Sequence, residues 1–330
     1  MTSRDRVINT LLHQSYHPIP TMLAISPHVR QGREAACAGL DVQFQNDVDF
    51  LDYRHFPFET SRDHRDSWGC VWSCRDGAWA CLEKTQFSDP LDIEGCRVPQ
   101  PKIDENLIQH VNDLCENNKR FVVVRSAISP LRRLKALLGT DVAFEMIRKK
   151  PKELMNFLVR LHGYYLKQLD AWLQTDVDAV CFEDDWADER GLKTSYARWN
   201  EIFAPLYHDY CTRVRRSDKF VYFSSKGNFE EIIPNLIHMG VDAIRFECGA
   251  VDWSVLTQRY AGRIAFHAVL EEKTLLEETE SDLSQKILSY RSFFENQGGL
   301  IAECRMPMEV SMRKIAFAMN NWRRRMPQPE

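Results

Sequence analysis

Short apolar runs alternate along the chain with longer stretches in which apolar residues recur every three or four positions. A run that is apolar on both faces predicts a strand of a parallel sheet, and the longer spacing predicts an amphipathic helix. From residue 120 onward, strand and helix follow each other regularly. The predicted strands are 121–127, 179–185, 219–225, 242–248, 263–270 and 300–304, with 19–25 as a further one near the start.

This serial order predicts an α/β protein with a (β/α)8 TIM barrel. A doubly wound sheet is disfavoured because no glycine-rich dinucleotide loop follows a predicted strand. Residues 30–110 differ from the rest, since they are rich in turn residues and aromatics and include DSWGCVWSCRDGAW at 66–79. We predict that they form an N-terminal helical and hairpin cap over one barrel mouth. No linker separates this cap, so residues 1–330 are expected to form a single domain.

Composition narrows the function classes. The chain has 330 residues, of which 44% are hydrophobic and 27% charged, as expected for a globular protein with a full core. A net charge of -4 argues against a nucleic-acid surface, which needs clustered Lys and Arg. We find neither a signal-peptide pattern nor an apolar run long enough to span a bilayer, and the ten cysteines are scattered. A cytoplasmic location with reduced thiols is therefore expected.

Chemistry in such a barrel sits at the carboxyl ends of the strands. Three predicted strands in a row end near Glu247, His267 and Cys304. Zinc takes N, S and O ligands in a tetrahedron, and a catalytic site leaves one position open. The spacing therefore predicts that these three side chains bind Zn²⁺. The alternative is that each is packed or hydrogen-bonded, which is the commoner fate of a single His or Cys at a strand end.

Two other strand ends carry candidate catalytic residues. The strand at 179–185 ends in three adjacent acids, which repel one another, so at least one needs a cationic partner or an altered protonation state. We predict that Glu183 or Asp185 manages a proton, and that Lys226 holds a substrate anion or pairs with these acids. The alternative is an exposed acidic loop with a solvated lysine.

The chain resembles the uroporphyrinogen decarboxylase-like superfamily, which includes zinc- and corrinoid-dependent methyltransferases. The resemblance covers nearly the whole chain and implies the same barrel. The stretches that carry it are SRDRVINTLLHQSYHPIP at 3–20, DSWGCVW at 66–72, the segments 177–207 and 227–246, and GGLIAEC at 298–304.

The chain departs from two branches of that superfamily. Decarboxylases carry an R-Q-A-G-R segment near the amino terminus for the substrate carboxylates, and Arg30 and Arg33 echo it only superficially. Thiol methyltransferases carry His-x-Cys-Gly at the strand where this chain has Ser-Ser-Lys-Gly at 224–227. The resemblance then implies that Cys304 keeps the third zinc ligand while Glu247 and His267 replace the other two.

The resemblance is nearest to corrinoid-dependent O-demethylase methyltransferases. It implies transfer of a methyl group from a small methoxylated, aromatic donor to the Co(I) corrinoid (cobalamin) of a partner protein, because this chain has no D-x-H-x-x-G corrinoid motif. Trp68, Trp72 and Trp79 are expected to wall the donor or to belong to the core. The alternatives are methyl transfer with a thiol or amine, decarboxylation, and a noncatalytic barrel that binds a corrinoid protein.

Overall fold

A computed structural model gives the structure of the chain. It describes residues 1–14, 17–53, 65–75, 78–81, 86–101, 104–294 and 297–324. For 74–75 and 78–81 only the backbone is described.

Eight strands form one sheet in the order β1-β12-β11-β10-β9-β6-β5-β2, and the remaining four form two short antiparallel pairs, β3 with β4 and β7 with β8. Chain neighbours are sheet neighbours, and the pairs with recorded register are parallel. This is the strand order of a (β/α)8 barrel, so the predicted fold class is confirmed. The strands are β1 (Thr21–Ala24), β2 (Val48–Asp52), β3 (Trp72–Arg75), β4 (Ala78–Cys81), β5 (Phe121–Arg125), β6 (Ala179–Glu183), β7 (Ala187–Asp188), β8 (Gly191–Leu192), β9 (Phe220–Ser224), β10 (Ala243–Glu247), β11 (Ala265–Leu270) and β12 (Leu300–Arg305).

Helices connect the barrel strands, and several begin at a side-chain cap, such as Asp104 before α4 or Ser311 before α14. None of the helices in the described ranges is both long and apolar enough to cross a bilayer. They are α1 (Ser3–Leu11), α2 (Pro27–Arg30), α3 (Glu34–Gln43), α4 (Glu105–Glu116), α5 (Pro130–Leu138), α6 (Thr140–Lys149), α7 (Lys152–Trp172), α8 (Tyr196–Ile202), α9 (Ala204–Arg216), α10 (Ile233–Met239), α11 (Trp253–Tyr260), α12 (Glu272–Glu277), α13 (Glu280–Ser292) and α14 (Met312–Arg323).

The chain divides into two compact units. Unit 1 comprises 1–49, 118–122 and 242–330, and unit 2 comprises 50–117 and 123–241. The single domain predicted from the sequence stays a prediction.

In unit 1, alternate residues of β10, β11 and β12 face opposite sides of the sheet, as in any strand. Phe246 and Phe266 lie on one face and pack against Trp253 of α11, while Phe294 after α13 also contacts Phe266. This face is therefore the one that the helices cover. The opposite face, called here the inner face, carries Arg245, His267 and Glu303.

In unit 2, the DSWGC stretch is a clamp on α5. The carboxylate of Asp66 accepts hydrogen bonds from the indole of Trp72 (3.0 Å) and from Arg133 of α5 (2.7 Å). The Arg133 guanidinium lies over the ring of Trp68, which also packs edge-on against Tyr164 of α7. Trp68 and Trp72 are each 6% exposed and so belong to the core. The side chain of Trp79 lies outside the described residues.

A buried acid in unit 2 joins the loop after β6 to the start of α5. Asp184 accepts from the hydroxyls of Ser129 (2.5 Å) and Tyr207 (2.6 Å), and from the amides of Leu131 (2.9 Å) and Arg132 (3.0 Å). These amides belong to the first turn of α5, so Asp184 caps this helix from a distance. Burial raises the pKa of the Asp184 carboxyl, and its hydrogen bonds with Ser129 and Tyr207 oppose that shift.

Sequence and structure agree closely from residue 120 onward, and each of the seven predicted strands is present within two residues at either end. The region predicted as a cap differs. It does contain the hairpin β3–β4, but it also contains β2, which is a strand of the eight-stranded sheet. The stretch VDFLD is interrupted by two aspartates and only Val48 is buried, so it lacks the continuous apolar run that marks the other strands.

Asp184→Asn tests the remote cap. The carboxamide has one acceptor oxygen and would turn an NH₂ group toward buried donors. We expect a loss of about 3 kcal/mol in the free energy of unfolding, the size of leaving such donors unpaired. Urea denaturation measures it. The neighbouring half-buried Asp185→Asn is the control, with a change within about 1 kcal/mol. Equal losses in the two variants would contradict the role given to Asp184.

Candidate functional site

A buried ion cluster lies on the inner face of unit 1, near the carboxyl ends of three strands. Arg245 of β10 donates to both carboxylate oxygens of Glu303 on β12, over 2.8 and 2.6 Å. Nε2 of His267, on the strand between them, lies 3.2 Å from the same carboxylate. The side chains of Glu303 and His267 are at most 1% exposed. A buried pair such as Arg245 and Glu303 is tolerated only when the two groups are hydrogen-bonded, and two hydrogen bonds join them here.

The cluster continues to the rim of the sheet through Arg305, the last residue of β12. Its Nε donates to Glu303 (3.2 Å) and its Nη1 donates to Glu247 (3.2 Å), the last residue of β10. Arg305 and Glu247 are each 32% exposed. One end of the cluster is therefore fixed in the core while the other reaches solvent, at the strand ends where barrel enzymes carry their chemistry.

The charge on Glu303 is held by its neighbours. Burial raises the pKa of this carboxyl, but the Arg245 charge and the contact with His267 outweigh burial, and the pKa lies well below the ordinary glutamate value. The carboxylate is thus ionised at neutral pH, and two guanidinium groups share it. It fixes the position of Arg305.

The structure does not bring the three predicted zinc ligands together. Glu247 and His267 face the inner side, but Cys304 pairs with Leu270 and shares the outer face, where its thiol contacts Trp322 of α14. Burial raises the pKa of Cys304 to about 12. The physical reason is the two-residue period of a strand, which turns Glu303 inward and Cys304 outward. The strand spacing used for the prediction ignored this alternation.

The donor chemistry of the inner face does not fit a zinc ion either. The carboxylate that faces His267 is already bound by Arg245 and Arg305, and a dication beside two guanidinium groups would be repelled. Within the described ranges, no group of three or more His, Cys, Asp or Glu side chains is arranged to hold a metal ion. The residues present on the inner face therefore do not fit a zinc ion.

In unit 2, Glu183 ends β6 between two arginines. Its carboxylate lies 3.2 Å from Arg132 and 3.9 Å from Arg125, and Arg125 lies 3.7 Å from Asp52. The cationic partner predicted for the acidic run is thus present. A proton-transfer role for Glu183 stays a prediction.

Asp185 and Lys226 meet through the backbone. The Lys226 amide donates to Asp185 (3.2 Å), while the Lys226 side chain is exposed. Gly227, with φ of 69°, packs so closely on Asp188 that an added Cβ would lie 2.5 Å from its Cα. This glycine therefore lets the loops after β6 and β9 meet. Catalytic roles for Asp185 and Lys226 stay predictions.

The two amino-terminal arginines are occupied. Arg30 forms a two-pronged pair with Asp41, at 2.7 and 3.1 Å. Arg33 donates to the backbone carbonyls of Met308 and Val310. Both guanidinium groups are thus engaged within unit 1, and the sequence argument against decarboxylation stays a prediction.

Sequence reasoning missed Arg245, Glu303 and Arg305. A signal was present: Arg245 and Glu303 stand inside otherwise apolar strands, where a charge is costly without a partner. Opposite charges in two such strands predict each other as partners.

Glu303→Gln tests the cluster. It leaves Arg245 buried with its counter-charge removed, so we expect a loss of about 4 kcal/mol in the free energy of unfolding at neutral pH. Because the folded pKa of Glu303 is lowered, its contribution is present above the ordinary value of 4.5 and is lost as the pH falls through the folded pKa. The gap between wild type and variant should thus narrow in acid.

Urea denaturation across pH measures the gap. Glu247→Gln at the half-exposed rim is the control, with an expected loss below about 1 kcal/mol. A Glu303→Gln variant as stable as the control would refute the cluster's structural role.

Solved structures share this fold at low sequence identity. A methyltransferase from Methanosarcina mazei aligns over 98% of this chain and 98% of its own, with a TM-score of 0.71 and 11% identity. The YdhT protein from Bacillus subtilis aligns over 96% and 87%, with a TM-score of 0.42 and 12% identity. A B12-independent methionine synthase from Shewanella sp. W3-18-1 aligns over 68% and 65%, with 0.36 and 13%. The first comparison supports the fold, and the other two carry no argument.

No curated protein sequence matches the chain significantly. The sequence profile described as "Uroporphyrinogen decarboxylase (URO-D)" matches residues 69–325, which is well over half of the chain and includes every strand from β3 to β12. The chain belongs to the uroporphyrinogen decarboxylase family.

Proposed function

We propose that this protein is a methyltransferase that moves a methyl group from a small methoxylated, aromatic donor to the Co(I) corrinoid of a partner protein. It would then be the methyltransferase component of an O-demethylase. The corrinoid is treated as the acceptor substrate, delivered by the partner, because the chain carries no D-x-H-x-x-G stretch.

Two findings favour methyl transfer over decarboxylation within this family. The arginines that would meet substrate carboxylates in a decarboxylase, Arg30 and Arg33, are bound to Asp41 and to backbone carbonyls. In addition, the fold is shared end to end with a protein named as a methyltransferase. Fold alone does not fix function, so the site has to carry the proposal.

The observation that carries the proposal is the position of the ion cluster. Arg305 and Glu247 stand half-exposed at the carboxyl ends of β12 and β10 and pair with each other. Buried Glu303 also binds Arg305. A guanidinium held in this way offers fixed hydrogen-bond donors to an oxygen that gains charge during a reaction. Demethylation of an ether creates such an oxygen. Decarboxylation instead develops charge on carbon.

Three parts of the chain have distinct tasks in this scheme. Glu303 and Arg245 hold Arg305 in place, and Arg305 meets the donor oxygen. Glu247 limits the movement of the guanidinium at the rim. The aromatic side chains Trp68 and Trp72 are assigned to the core of unit 2 and not to the donor site, because they clamp α5.

A donor panel tests the proposal. Purified protein is mixed with free cob(I)alamin and a methoxyarene, methanethiol, methylamine or uroporphyrinogen. Methylation of the cobalamin is followed by its absorbance, and the demethylated product by chromatography. We expect methylation from methoxyarenes, with the phenol formed in equal amount, and no decarboxylation.

The surface variant Arg313→Met, whose side chain is 86% exposed in the wild type, should match wild type and controls for the handling of the protein. Transfer from methanethiol or methylamine alone would keep the methyltransferase class and refute the methoxylated donor. Transfer from none of the three methyl donors, in the presence of active cob(I)alamin, or decarboxylation of uroporphyrinogen, would refute the proposal.

A further inference from the structure

The guanidinium of Arg305 has donors to spare. It carries five N–H groups, and two of them are used, by Nε toward Glu303 and by Nη1 toward Glu247. No other hydrogen bond of its side chain occurs among the residues that the structure describes. The Nη2 group therefore offers both of its N–H bonds, on a side chain that is 32% exposed.

These donors are fixed in space. Glu303 anchors Arg305. Arg245 binds both carboxylate oxygens of Glu303, and His267 lies against the same carboxylate. A surface arginine would lose side-chain entropy on binding a ligand, but this one is already ordered by a buried carboxylate. Preorganised donors of this kind stabilise charge that appears in a transition state, since they need no rearrangement when it appears.

The same positions do not suit a metal ion, as shown above: Cys304 points to the outer face, and the carboxylate near His267 is taken by two guanidinium groups. An electrophile is nevertheless needed to cleave an aryl methyl ether, because an unassisted aryl oxide leaves slowly. At the strand ends of this inner face, Arg305 supplies a positive group.

Resting on the function proposed above, we propose that Arg305 is the catalytic electrophile of this site. It binds the ether oxygen of the donor through its Nη2 edge and stabilises the phenolate that forms there, in the role that a zinc ion would otherwise take. The donor class is thus one whose leaving atom becomes an anionic oxygen.

The step balances. The electron pair of the Co(I) acceptor forms the new bond to the methyl carbon, so the cobalt is formally oxidised to Co(III). The C–O bond breaks and its electron pair stays on oxygen as phenolate. Arg305 only donates hydrogen bonds, because a guanidinium has N–H donors and no acceptor. Water supplies the proton when the phenol leaves.

Three variants test the proposal: Arg305→Met, Arg305→Lys and, as a matched surface control, Arg313→Met. For Arg305→Met we expect a loss of about 100-fold or more in the rate of methyl transfer, typical of removing an oxyanion donor. Arg305→Lys should recover part of this, and added guanidine should rescue Arg305→Met. The loss should grow with the pKa of the leaving phenol, which a purely structural role would not produce. Urea denaturation checks that the variants are folded.

A binding arm works without turnover. Calorimetry with a nitrophenol, above and below the pKa of that phenol, should show tighter binding of the phenolate to wild type and no such preference in Arg305→Met. Glu247→Gln should bind the phenolate more tightly than wild type, because it removes a neighbouring negative charge.

The outcomes separate this proposal from the previous one. If wild type methylates cob(I)alamin from no donor, the proposed function fails, and the phenolate arm still decides whether Arg305 is an anion site. If methyl transfer occurs but Arg305→Met and Arg313→Met behave alike for every leaving group, the electrophile role is overturned while the function stands. Activity abolished by a chelator, together with stoichiometric metal in both wild type and Arg305→Met, also overturns it.

Discussion

The chemistry of unit 1 depends on one buried negative charge. Glu303 stands inside an apolar strand, and its desolvation is offset by two guanidinium groups and the neighbouring His267. The balance works only because all four groups occupy the same face of three adjacent strands. The members of the cluster offset one another's charges, so removing any one of them leaves another charge uncompensated. We therefore expect the cluster to behave cooperatively. The cluster thus fixes the position of the half-exposed Arg305.

Unit 2 applies the same principle with a different set of donors. Asp184 is also a carboxylate next to a strand end, but it is compensated by hydroxyls and by two amides of α5. The first turn of a helix provides the unpaired N–H groups. These donors oppose the rise in the pKa of Asp184 without cancelling it, whereas the charge of Arg245 and the contact with His267 lower the pKa of Glu303. The two acids therefore do different things. Asp184 uses up its hydrogen-bonding capacity within the fold, whereas Glu303 orders a cation that still has donors facing outward.

Much of the fold was predictable because both signals involved are local. A strand buried on both faces must be apolar throughout, and a helix against it must show its own period, so 121–125 or 265–270 could be recognised alone. β2 was missed because Val48 is its one buried residue. The site was predicted less well. The order of the strands predicts which residues lie at the same end of the sheet, but the face on which each residue lies depends on the register. The prediction was one position off, so it placed Cys304 on the inner face, where the structure has Glu303.

The same shift changes the kind of electrophile that the site can present. A metal ion held by a thiolate and an imidazole has a strength that depends on the protonation of its ligands. A guanidinium keeps its charge, so its strength depends instead on where it is held. Here that position is set by Glu303, whose lowered pKa keeps it ionised well into acid. In the proposed site, the strength of the electrophile is thus controlled by a buried ion pair and not by the protonation of metal ligands. This is possible because Glu303 faces the inner side of the sheet.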